Sequence, residues 1–201
     1  MGLSCDLKSL VIDDCRSIAG LQGKVFCIPI EGITNVPKTK KEKAAIVAPA
    51  TTYEEKAGDS VAYGEAFMYS SNKDYWRSAD IVFDSGQLDF DTAGDRGFES
   101  LTSMFDSMVK GTSDAQREFG ENLIKCNGCG GWMIAVATRN EPNKLAVLGT
   151  MMNGGNAKIK GSTGKKSGDK NVMELKFQFD TGLTWRSYDL AALGIRTAPI
   201  V

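Results

Sequence analysis

This chain of 201 residues predicts a mainly β (α+β) fold: an antiparallel β-sandwich or barrel with one short flanking helix and a long extended loop. Three observations predict it. Twenty-two glycines punctuate short apolar runs. Several of those runs alternate apolar and polar residues with the period of a strand. One stretch alone has convincing helical spacing.

In chain order, Leu21 to Ile33 (LQGKVFCIPIEGI) reads as a first strand, which Pro29 ends early or places at an edge. Thr34 to Asn72 follows as a long irregular region containing Pro37, Pro49, Gly58 and Gly64. A connection of that length is functional, folds on a partner, or hides short strands. Ile81-Val-Phe83 is a short apolar run. In Gln87-Leu-Asp-Phe-Asp91, Leu88 and Phe90 share one face, with Gln87, Asp89 and Asp91 on the other. Gly94-Asp-Arg-Gly97 makes a hairpin turn. Phe98 to Val109 returns as the partner strand, with a bulge expected near Met104-Phe105, where the alternation slips.

Ser113 begins the helix. Ser113 and Gln116 have capping-box spacing, and Ala115, Phe119 and Leu123 form an apolar stripe. Asn127-Gly128 supplies the left-handed residue that ends it. Trp132 to Thr138 reads as a buried strand, Arg139 to Lys144 as a turn and Leu145 to Met152 as the return strand. A loop spans Asn153 to Asn171. Met173 to Asp180 then alternates most cleanly: Met173, Leu175, Phe177 and Phe179 against Glu174, Lys176, Gln178 and Asp180. The segment after Gly182 carries Trp185 and Tyr188 and has no assigned element.

Composition limits function. With 42% apolar and 24% charged residues, the whole chain, 1–201, reads as one globular domain with a long loop or arm at 34–72. A net charge of −1 implies no general attraction to DNA or to an anionic membrane. No apolar run is long enough to span a bilayer. Met1 to Asp6 lacks the hydrophobic region of a secretory signal, and Asp6 stands where a myristoylation site needs Ser or Thr. Synthesis in a reducing cytosol is therefore expected. The chain has no histidine, so Ser-His-Asp and Cys-His catalysis and mixed Cys/His zinc sites are excluded within one chain.

The segment Gly161 to Asn171 (GSTGKKSGDKN) has the residue types of a phosphate-binding loop but not the spacing. Lys166 follows Gly164-Lys165 where Ser or Thr belongs, and Ile159 stands where the first glycine belongs. It leads into a strand rather than a helix N-terminus, so a solvated loop between strands is expected. Cys126-Asn-Gly-Cys129 follows a helix, where the dipole opposes a thiolate, and Cys5, Cys15 and Cys27 do not form a second zinc-type pair. Structural cysteines are the simplest reading. The run Lys38 to Lys43 lacks interleaved aromatic residues for base stacking and reads as a solvated loop or a protein contact. Asp84, Asp89, Asp91 and Asp95 form an acidic stretch without the spacing of a calcium loop.

The order of these features resembles the tail tube (major tail) proteins of long-tailed phages and prophages, especially those of Bacteroides-type hosts. The features that carry the likeness are Cys5-Asp6 through Asp14-Cys15, Gly20-Leu-Gln-Gly23 and the strand Lys24 to Ile30. They continue with the acidic strand, hairpin and helix Ser113 to Lys125, then the hairpin Trp132 to Gly149 and the Gly/Ser-rich loop before the last strand. The resemblance covers most of 1–180 and implies a tail-tube type fold, no enzymatic activity and no cofactor. It implies self-assembly into stacked, hexameric rings forming the tube through which DNA passes.

On this reading Asp84, Asp89 and Asp91 face the lumen. Lys38, Lys40, Lys41, Lys43, Tyr53 and Tyr63 belong to the loop that docks on the next ring. The implied partners are copies of the chain, other tail proteins (tape measure, terminator, baseplate or sheath) and genomic DNA passing without specific binding, with no membrane. The implied location is the virion tail, after assembly in the host cytoplasm. Two alternatives stay open: another tail ring, terminator or contractile-injection inner-tube subunit, and a small cytosolic metal or redox domain using Cys126 and Cys129.

Overall fold

Trp132–Thr138 begins with six apolar residues in succession, and a strand of that kind is stable only with both faces dry. In the computed structural model this segment is the middle strand of a five-stranded sheet, and Trp132 through Ala137 are all buried. The structure describes residues 21–37, 66–82, 84–94, 100–128, 130–138, 144–162, 171–180, 186–189 and 195–200.

Within these residues the elements are β1 (Leu21–Pro29), β2 (Ile33–Asn35), β3 (Met68–Tyr69), β4 (Arg77–Asp80), β5 (Gln87–Ala93) and β6 (Ser100–Lys110). The helix α1 (Asp114–Lys125) follows, then β7 (Trp132–Thr138), β8 (Lys144–Leu148), β9 (Asn156–Ser162), β10 (Val172–Phe179) and β11 (Arg186–Asp189). The larger sheet has the order β11-β8-β7-β1-β4, a four-stranded sheet has the order β5-β6-β10-β9, and β2 pairs with β3. Every pairing is antiparallel.

Alternation along β7 divides the interior. Trp132, Ile134 and Val136 meet Phe105, Leu175, Phe177 and Phe179 of the four-stranded sheet. Met133, Ala135 and Ala137 meet a second cluster containing Ile28, Ile33, Phe67 and Trp76. Trp76 packs edge-on against Phe67, with ring centroids 5.2 Å apart. Each fully buried side chain of this size contributes about 1.5–3 kcal/mol of hydrophobic stabilisation. The two main sheets touch through single bridges, Ile81 with Val109 and Trp132 with Gly155, and do not close into a barrel.

The structure corrects several sequence expectations. β6 has no bulge at Met104-Phe105: its pairing with both β5 and β10 is continuous. The apparent slip arises because Ser103 and Ser107 point into the core with Phe105 and Val109, while Met104 is 41% exposed on the other face. The expected loop 153–171 contains β9, whose Ala157 and Ile159 face inward between Lys158 and Lys160. The long region 34–72 includes the ends of the small β2–β3 pair. Pro29 ends β1 as expected, and a 3-10 turn at Ile30–Gly32 separates it from β2.

In α1, Leu123 is buried and Phe119 half-buried, but Ala115 is exposed. Ser113 is the N-cap without a side-chain bond to the helix amides; its hydroxyl instead meets the Gln116 side chain. The helix ends in a 3-10 turn at Cys126–Gly128, and positive φ arrives later, at Gly130 and Gly131. Trp132 Nε1 donates to the Leu123 carbonyl (2.8 Å), tying the helix to β7.

Candidate functional site

The outer face of the four-stranded sheet is the most distinctive chemical surface among the described residues. Strict alternation builds it. The inward residues of β10 are Met173, Leu175, Phe177 and Phe179, so Glu174, Lys176 and Gln178 point out. In-register pairing aligns these with Met104, Asp106 and Met108 of β6 and with Asn156, Lys158 and Lys160 of β9. Gln87, Asp89 and Asp91 of β5 complete the face beside Asp106 and Met104.

Charge is graded across this face. Asp89 and Asp91 lie at the β5 side and Lys158 and Lys160 at the β9 side. Between them the charges are tied. Lys176 Nζ pairs with Asp106, and the hydrogen bond and charge of that carboxylate raise the Lys176 pKa. Lys160 lies 4.0 Å from Glu174, and Lys158 Nζ donates to Gln178 Oε1 at 3.4 Å. At the other side, Gln87 Nε2 donates to Asp89 Oδ1 at 2.7 Å. Water and salt screen exposed pairs of this kind, so they tune the surface rather than hold the fold.

Of the acidic candidates, Asp89 and Asp91 share this face with Gln87. Asp84 does not lie on β5. It sits in the preceding turn with φ of 60°, a conformation that Asp tolerates better than most residues. Ser85 anchors the turn: its hydroxyl donates to the Val82 carbonyl (2.6 Å) and accepts from Met108 N–H (3.1 Å). Lys38, Lys40, Lys41, Lys43, Tyr53 and Tyr63 lie outside the described residues, as do Asp95 and Cys129.

Among the described residues, strands β5 and β9 end the sheet on its two sides. At β9, the side chain of Asn127 reaches the backbone of Ala157, accepting from its N–H and donating to its carbonyl. The N–H and carbonyl of Ala157 therefore point away from β10. By the alternation of antiparallel pairs, those of Ile159 and Gly161 do too. A groove of about 470 Å³ lies beside α1, lined by Thr112, Arg117, Glu121, Ile159, Gly161 and Met173. Sequence reasoning missed Asn127. Its Asn-Gly context signals a turn, and nothing local announces a partner thirty residues on.

Of the cysteines, Cys27 and Cys126 lie among the described residues. Cys27 is buried and its thiol donates weakly to the Arg77 carbonyl at 3.5 Å. Burial pushes its pKa up to about 12, with Arg77 opposing and Cys126 adding to the rise. Cys126 is half-buried against the main core. No group of three or more Cys, Asp or Glu side chains suited to a metal occurs among the described residues. The Gly161 to Asn171 segment connects β9 to its antiparallel partner β10, so it does not lead into a helix as a phosphate-binding loop requires. Comparison with protein-family models, curated proteins and solved structures finds no match to this chain.

Proposed function

We propose that this chain is a structural subunit of a tail-tube type, assembling with copies of itself into stacked rings that enclose a channel for DNA. The observation that carries this reading is the charge-graded, polar sheet face lying between two terminal strands, one acidic and one basic. A surface of that design repeats naturally. A head-to-tail contact closes into a ring when its rotation divides a circle, and rings then stack. Edge strands, which otherwise invite uncontrolled pairing, are satisfied by neighbouring copies.

In the ring the polar face lines the channel. Asp89 and Asp91 repel DNA phosphates, and Lys176 and Lys160 are each held by a carboxylate, which weakens their grip on a passing polyanion. The subunit works in the virion tail, with copies of itself and other tail proteins as partners and with no reaction to catalyse. Negative-stain electron microscopy of the purified protein tests this. Long tubes of stacked rings are expected. Isolated rings indicate a terminator or adaptor role instead, and a lasting monomer at high concentration contradicts assembly.

A further inference from the structure

We propose that Asn153 is a site of spontaneous deamidation in the folded protein, with Gly154 as the attacking residue and water as the co-reactant, and that the fold protects Asn127 from the same reaction. Asn-Gly occurs twice in the sequence, at Asn127-Gly128 and Asn153-Gly154. A glycine after asparagine leaves the next backbone nitrogen open to the asparagine side chain, because no Cβ stands in the way. Both pairs lie at the start of β9, but they differ in what holds them. Asn127 sits in the 3-10 turn Cys126–Gly128, and both ends of its amide are bonded to Ala157. In such a turn each N–H is directed at a carbonyl three residues back, away from the preceding side chain. Asn153 is exposed, and its two hydrogen bonds to Thr150 use only its main-chain N–H and carbonyl. Among the described residues, neither its side-chain amide nor the Gly154 N–H has a hydrogen-bond partner.

The turn favours the first step. Thr150 N–H donates to the Asn153 carbonyl (3.0 Å), which draws electron density from the Asn153–Gly154 peptide and eases loss of the Gly154 proton to hydroxide. The freed nitrogen forms a bond to Asn153 Cγ, and the side-chain nitrogen leaves as ammonia. Water then opens the succinimide ring at either carbonyl, so one water enters and one ammonia departs. One opening gives aspartate. The other gives isoaspartate, in which the main chain runs through Cγ and gains a methylene. Only the second strains the fold. A Cβ on Gly154 would lie 2.3 Å from the Gly130 carbonyl oxygen, and Gly155 exchanges two backbone hydrogen bonds with Trp132, at 2.8 and 2.9 Å. A main chain lengthened just ahead of this crossing must displace it, whereas aspartate adds only an exposed charge.

Peptide mapping by mass spectrometry tests this on the full chain, aged folded in mildly alkaline buffer. Exchange of amide for carboxylate should accumulate at Asn153 as both aspartate and isoaspartate. It should run about tenfold or more slower at Asn127, whose reaction waits on local opening. In urea the two pairs should react at similar rates. Asn153→Gln should abolish the change at that position, because the longer side chain does not close the same ring. A second measurement reads the consequence: the isoaspartate fraction of aged protein should unfold at a lower temperature than fresh protein, while Asn153→Asp should unfold with the parent. An Asn153 that reacts in urea but stays intact in the folded chain overturns the proposal, as does an Asn127 that keeps pace with it. An isoaspartate fraction as stable as fresh protein overturns the structural consequence.

Discussion

The side-chain amide of Asn127 grips the backbone of Ala157 with two hydrogen bonds, 2.9 Å from Nδ2 to the carbonyl and 2.8 Å from the Ala157 N–H to Oδ1. It does for one residue of β9 what a neighbouring strand would do. Asn127→Ala removes both bonds and bares the edge, which should cost about 1–3 kcal/mol. Asn127→Asp keeps the acceptor and loses the donor, so its loss should be smaller. Urea unfolding measures both, with an unchanged denaturant slope expected.

The turn from β8 into β9 depends on close backbone crossing. A Cβ on Gly154 would lie 2.3 Å from the Gly130 carbonyl oxygen, and one on Gly155 would lie 2.4 Å from Phe179 Cε1. Gly154→Ala must displace backbone, whereas Gly155→Ala displaces a ring. Both should destabilise by about 1–3 kcal/mol or more, Gly154→Ala the more severely. Thermal unfolding of the two variants gives the ranking.

Arg196 ties the segment 195–200 to the rest of the molecule. Its guanidinium lies 4.3 Å from the Tyr69 ring centroid, Nη1 donates to the carbonyls of Ser71 (3.0 Å) and Asp74 (3.3 Å), and its backbone N–H donates to Tyr69 Oη (2.9 Å). Burial raises the Tyr69 pKa, which keeps the phenol neutral. Arg196→Ala should cost about 1–3 kcal/mol and speed proteolysis within 195–200. Arg196→Lys should not restore the loss, because an ammonium cannot stack and fork in the same way.

Stability should fall in alkali. The unfolded Cys27 thiol ionises near 9.0, but burial delays ionisation in the folded protein to about 12. Between those values the unfolded chain has released a proton that the folded one keeps, so rising pH favours unfolding. Lys176 acts in the same direction: its raised pKa gives stability that is full below 10.5 and is lost as pH climbs past the folded value. Unfolding free energy measured against pH should decline from pH 9 upward, and Cys27→Ala should flatten part of that decline. In the folded protein Cys27 should also resist thiol reagents at neutral pH.

Legibility in the sequence followed burial. β10 shows one dry and one wet face in its residues, and β7 shows two dry faces in an unbroken apolar run; both were readable. The β5–β6 hairpin was readable too, but β6 looked irregular because Ser103 and Ser107 take core positions and Met104 takes a surface one. β9 hid inside a Gly/Asn/Lys-rich stretch: its short alternation, Ala157 and Ile159 against Lys158 and Lys160, was masked by neighbouring turn residues. Of the candidate surface, the acidic face of Asp89 and Asp91 was legible from period 2. The lysine side and the Asn127 clamp were not, because they depend on pairings between distant segments. Asp84, grouped with the acidic strand by proximity in sequence, belongs to a turn instead.

The most direct test is the size and form of the purified protein in solution, read by light scattering and negative-stain electron microscopy across a concentration series. Growth into uniform tubes with a stain-filled central channel is the predicted result. A compact single-chain species that persists at the highest concentration would contradict the account.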